Sequence, residues 1–101
     1  MKLRHLRLIK RSTRQRVLAQ AAAAAFCAWR QECAAVHLAY RRWAAVSAVD
    51  KPLAFAAYNA ALDREEHAAR HYARLMSRVE PFHHAALERQ MMPIEAAEWI
   101  W

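Results

Sequence analysis

An all-α fold is predicted: an antiparallel helical hairpin of two long helices, followed by one or two short C-terminal helices. Three observations carry that prediction. The 101 residues contain 25 alanines and no glycine, and alanine is the strongest helix former. Apolar residues recur at alternating spacings of three and four in two separate stretches. A proline after a short polar turn divides those stretches.

The first helix is expected over most of residues 3–48. Ser12-Thr13-Arg14-Gln15 matches a capping box, a hydroxyl followed three residues later by Gln, so a kink is expected near Ser12. Phe26, Trp29, Cys33, Val36, Tyr40 and Trp43 follow spacings of 3, 4, 3, 4 and 3, an a/d stripe that needs a facing helix to cover it. Asp50-Lys51-Pro52 interrupts this pattern, because proline suits the first helical position and forces its predecessor out of helical geometry. A turn near 49–52 follows. The second helix, from Pro52, carries Phe55, Tyr58, Leu62, Glu65, Ala69, Tyr72, Met76 and Val79 at the same alternating spacing. Two such stripes joined by a short turn form an αα-hairpin. Its expected core is Phe26, Trp29, Cys33, Val36, Tyr40, Trp43, Phe55, Tyr58, Leu62, Tyr72, Met76 and Val79. Glu80-Pro81 closes the second helix, Phe82–Met92 forms a third, and Pro93 opens a last stretch ending in Trp99, Ile100 and Trp101. The organisation is therefore a basic arm or helix start over 1–16, a hairpin over 12–80 and a short helical segment over 81–101.

The absence of glycine removes whole classes of function. Phosphate loops, dinucleotide fingerprints and nucleophile elbows depend on backbone conformations that glycine supplies. No cofactor and no small-molecule substrate is expected, and the chain is read as non-catalytic.

Charge is distributed very unevenly. Lys2, Arg4, Arg7, Lys10, Arg11, Arg14 and Arg16 all lie in the first sixteen residues, which hold no acid. The remaining 85 residues balance nine basic against nine acidic side chains, so the whole net charge of +7 belongs to the arm. On a helix, Arg4, Arg7, Arg11 and Arg14 share one face, and Leu3, Leu6, Ile9, Thr13 and Val17 line another about 120° away. The arginine fork suits phosphate and carboxylate. Docking on nucleic acid phosphate without base specificity is the leading functional expectation, with an anionic membrane surface ranked behind it. Glu80, Glu88, Glu95 and Glu98 outnumber Arg89 in the final segment, and folding back they would neutralise part of the arm.

A core of 17 Ile, Leu and Val residues is thin for a chain of this size. Association with a protein partner or with a second copy is expected, and Trp99, Ile100 and Trp101 are candidate interface anchors. A protein-binding adaptor, inhibitor or assembly subunit that uses these residues and the aromatic stripes is the alternative reading.

Other chemistry is weaker. Cys33–His37 and His67–His71 have the i, i+4 spacing of two metal ligands on one helix, but the heptad phase puts both histidines of the second pair on the outer face. Glu80-Pro-Phe-His83 has the Glu-x-x-His spacing of di-iron sites, yet it straddles a proline. No metal is expected. Glu65, the only carboxylate in a stripe, is expected to pair with Arg30 or Arg41 or to sit at a dimer seam. Cys27 and Cys33 are too far apart on one helix for a disulfide, which suits a reducing compartment. The longest uncharged run, Val17–Trp29, has 13 residues, short of the ~20 that span a bilayer. A cytoplasmic location is expected.

Overall fold

The computed structural model describes residues 2–91. They form three helices: α1 (Lys2–Ala45), α2 (Lys51–Arg78) and α3 (Pro81–Met91). No strand occurs among the described residues. α1 and α2 pack along one another as an antiparallel hairpin, and α3 packs on α1. The stretch from Pro93, with Trp99, Ile100 and Trp101, lies outside the described residues.

α1 is one continuous helix of 44 residues, about 66 Å at 1.5 Å per residue, and the molecule's longest dimension is 72 Å. The helix does not break at Ser12, where the capping box was expected to bend it, for Ser12 remains helical. An N-cap residue must leave helical geometry, and Lys10 to Arg16 contain no residue that breaks a helix already running. Thr13 instead folds its hydroxyl back, with Oγ1 donating to the Ile9 carbonyl at 3.0 Å.

The turn is held from both sides. Lys51 Nζ donates to the carbonyls of Trp43 at 2.7 Å and Ala44 at 3.2 Å, satisfying acceptors that the end of a helix leaves open. Ser47 Oγ donates to Asp50 Oδ2 at 3.3 Å, and the Ala54 amide donates to the Asp50 carbonyl at 3.1 Å to start α2. At the other end Val79 turns extended, with φ −81° and ψ 130°. The following Glu80-Pro81 step then opens α3, with the His84 amide on the Glu80 carbonyl at 2.9 Å.

Two groups of rings zip the hairpin. Near the turn, Trp43 stacks on Tyr58 with ring centroids 5.6 Å apart and lies 5.1 Å from Phe55. Farther along, Trp29 stacks on Tyr72 at 5.9 Å, and Phe26 meets Tyr72 edge-on at 5.6 Å. Such pairs each add about 0.5–1.5 kcal/mol beyond the area they bury.

The core is narrower than the stripes predict. Phe26, Cys33, Val36 and Val79 are buried; Trp29, Trp43, Tyr58, Leu62, Tyr72 and Met76 are half-buried. Tyr40 and Phe55 remain 48% and 44% exposed, which corrects their assignment to the core. Two helices cover a large ring from one side only, and the third helix closes the opposite end of the hairpin. There Leu87 of α3 joins Ala22 and Val79, with Leu18, Leu75 and Met91 packed around them. Ala22, Ala25 and Ala61 are buried as well.

Candidate anion-binding arm

At 100° per residue, Arg4, Arg7, Arg11 and Arg14 fall within a sector of about 80°. The same sector, followed down α1, contains Leu18, Ala25, Trp29 and Val36, the side that packs on α2. The arginine row is therefore the hairpin seam continued past the end of its partner helix. About 20 Å of α1, from Lys2 to Gln15, projects there at 1.5 Å per residue.

Gln15 and Arg11 mark the changeover. Gln15 Oε1 accepts from the Glu80 amide at 2.8 Å, and its Nε2 donates to the Arg78 carbonyl at 3.4 Å. Arg11 places both Nε and Nη2 at 2.6 Å from Glu80 Oε1. A hollow of about 350 Å³ lies among Arg11, Arg14, Gln15, Leu18, Arg78 and Glu80, so Arg14 and Arg78 line the space beside the Arg11–Glu80 pair. Arg11 alone of the seven arm cations has an acidic partner among the described residues. Lys2, Arg4, Arg7, Lys10, Arg14 and Arg16 are all exposed. The expected fold-back of acid onto the arm thus reaches one cation here. Glu88 lies 3.1 Å from His84, and Glu95 and Glu98 are outside the described residues.

The second face of the arm is bare. Leu3 is 72% exposed, Leu6 51%, Ile9 48% and Val17 58%. Arginine replaces apolar residues at the seam positions, and among the described residues no helix covers this part of α1.

Within the hairpin, Glu65 accepts a hydrogen bond from the Trp29 indole, Nε1 to Oε1 at 2.8 Å, a partner that stripe spacing alone does not indicate. Burial pushes the Cys33 thiol above its ordinary value; the Glu65 carboxylate adds to this, and Arg30 opposes it. Tyr72 is raised in the same way, by burial first and then by Glu88. Both groups are held neutral at physiological pH, so neither is an activated nucleophile or base. Cys27 is exposed, Cys33 is buried, and both are free thiols. No cluster of three or more potential metal ligands occurs among the described residues. Glu80, one half of the Glu-x-x-His spacing, faces Arg11. No helix of the described residues is long and apolar enough to cross a membrane.

The contribution of Gln15 was within reach of the sequence. Counting back from Phe26 by helical spacing passes Ala22, Leu18, Gln15 and Arg11, a stripe that turns polar where the facing helix ends. No protein-family model, curated protein or solved structure matches this chain.

Proposed function

We propose that the chain is a non-catalytic interaction protein whose projecting arm docks on the phosphate backbone of nucleic acid without reading bases. One observation carries this reading: six cations stand without an acidic partner among the described residues on a rigid helix, four arginines of the arm sharing one sector. A planar guanidinium donates two parallel hydrogen bonds to phosphate oxygens. Phosphate contacts fix register without conveying sequence. The hollow beside Arg11, Arg14 and Arg78 adds a place where a phosphate would compete with Glu80 for the guanidinium groups.

The test is fluorescence anisotropy with duplexes of unrelated sequence. Four phosphate contacts give a salt slope near −0.9 per contact, and affinity falls about a hundredfold between 50 and 200 mM salt. The expected result is equal affinity for every duplex and that slope. Replacing Arg4, Arg7 and Arg14 by glutamine should flatten the slope by about three contacts. Unchanged binding by the triple variant would overturn the reading.

A second reading, a protein-binding adaptor, is favoured by the exposure of Tyr40 and Phe55 beside the turn. Large aromatic side chains are enriched at protein interfaces.

A further inference from the structure

The corner where the arm leaves the hairpin gathers more positive charge than its one carboxylate balances. Arg11 and Arg14 stand about one turn apart on α1, and Arg78 occupies the last turn of α2. All three line the hollow of about 350 Å³ that Glu80 also lines. That volume falls at the small end of ligand pockets, which run from ~300 to ~1,000 Å³. Three guanidinium groups against the single Glu80 carboxylate leave the hollow a charge of +2. Among the described residues neither Arg14 nor Arg78 has an ion-pair partner. Like charges gathered in one place repel, so an anion placed among them is stabilised.

The corner is also held in position. Gln15 bridges the two helices, accepting from the Glu80 amide at 2.8 Å and donating to the Arg78 carbonyl at 3.4 Å. The backbone that carries Arg78 and Glu80 is therefore fixed against the helix that carries Arg11 and Arg14. Groups positioned beforehand lose less freedom on binding a ligand. The ion pair within the hollow is the part that yields. Arg11 Nη2 lies 2.6 Å from Glu80 Oε1, yet the two side chains are 65% and 35% exposed. A pair so open to water is held weakly, and a doubly charged anion can take the guanidinium from it.

Charge selects the anion. A phosphate inside a nucleic acid backbone is a diester with one negative charge. A phosphate monoester carries about −1.5 to −2 at neutral pH and offers three acceptor oxygens. The monoester is the form that matches both the +2 of the hollow and its three forked donors. We propose that the hollow is a discrete site for a phosphomonoester dianion, with Glu80 as its resident competitor. The group is borne either by the phosphorylated end of a duplex, whose backbone then runs along Arg7 and Arg4, or by a free phosphate. The first source rests on the nucleic acid reading of the arm; the site itself does not.

The test is titration of the full chain with methyl phosphate, a monoester, and with dimethyl phosphate, the matching diester, at equal ionic strength. Binding is read from the Nε–H resonances of the arginine side chains. The expected result is a saturable shift with methyl phosphate and an affinity for dimethyl phosphate at least about tenfold lower. Arg78→Gln should weaken methyl phosphate binding about tenfold. Glu80→Gln removes the competitor and should strengthen it by a similar factor, a gain that unfolding cannot imitate. A duplex with 5′-phosphates should bind about tenfold more tightly than the same duplex with 5′-hydroxyls, and Arg78→Gln should bring that ratio close to one. Equal binding of the two duplexes beside an intact methyl phosphate response assigns the site to free phosphate. Failure of both duplexes to bind, with that response intact, overturns the nucleic acid reading and leaves the site standing. Equal responses to the two esters, or a Glu80→Gln variant that binds methyl phosphate no better than the parent, would overturn the proposal.

Discussion

The first fourteen residues of α1 and the thirty that follow belong to one helix but are stabilised in different ways. In the hairpin, the seam positions hold Phe26, Trp29, Val36 and Trp43, and the rings of α2 cover them. In the arm the same sector holds Arg4, Arg7, Arg11 and Arg14, and among the described residues the one acid that meets it is Glu80 at its root. Helix propensity and continuity with the hairpin sustain the arm, while packing sustains the rest. The comparison shows that where a helix is covered depends on its seam residues, and that helicity alone does not require a partner.

Substitutions at equivalent heights on the two regions test this directly. Trp43→Ala removes the stack on Tyr58 and the contact with Phe55, and should lower unfolding stability by about 3 kcal/mol in a denaturant titration. Leu6→Ala, in the arm, should stay within about 0.5 kcal/mol. Equal losses at the two sites would erase the distinction.

Next in size is the polar link inside the hairpin. Glu65→Ala leaves the half-buried Trp29 N–H without this acceptor, at a cost of about 1–3 kcal/mol. Glu65→Gln keeps an oxygen in place and should recover most of that loss. It also removes a charge that raises the Cys33 pKa, so alkylation of Cys33 should begin at lower pH than in the parent.

The smallest effect belongs to the joint between the regions. Arg11→Ala breaks the contact with Glu80, whose side chains are 65% and 35% exposed. An ion pair so open to solvent should contribute no more than about 1 kcal/mol, less at high salt. A larger loss in thermal unfolding would mean that arm and hairpin are coupled more tightly than their exposure implies.

Most of the hairpin was readable because two signals agreed: alternating spacing of large apolar residues, and proline after a polar turn. The buried alanines were not readable. Ala22, Ala25 and Ala61 look like the other alanines in sequence, since a methyl group marks helix propensity and close approach equally well. Leu87 was hidden because its burial depends on α3 folding back over Ala22 and Val79, a long-range contact that local periodicity does not encode. Tyr40 and Phe55 misled in the opposite direction. Their spacing is correct, but only a third helix at the turn end would bury them. Of the candidate site, the cation row and its sector followed from arithmetic, whereas the Gln15–Glu80–Arg11 joint required the register of α1 against α2. The Ser12 capping box was a false stop, because the motif acts only where the backbone is free to leave the helix.

The unbroken course of α1 makes this molecule a lever. With no glycine or proline between Lys2 and Ala45 there is no pivot, so the tip moves only by bending a continuous ladder of backbone hydrogen bonds. Whatever grips the tip therefore also sets the orientation of the body, and a pull at Leu3 is felt as torque at Trp43.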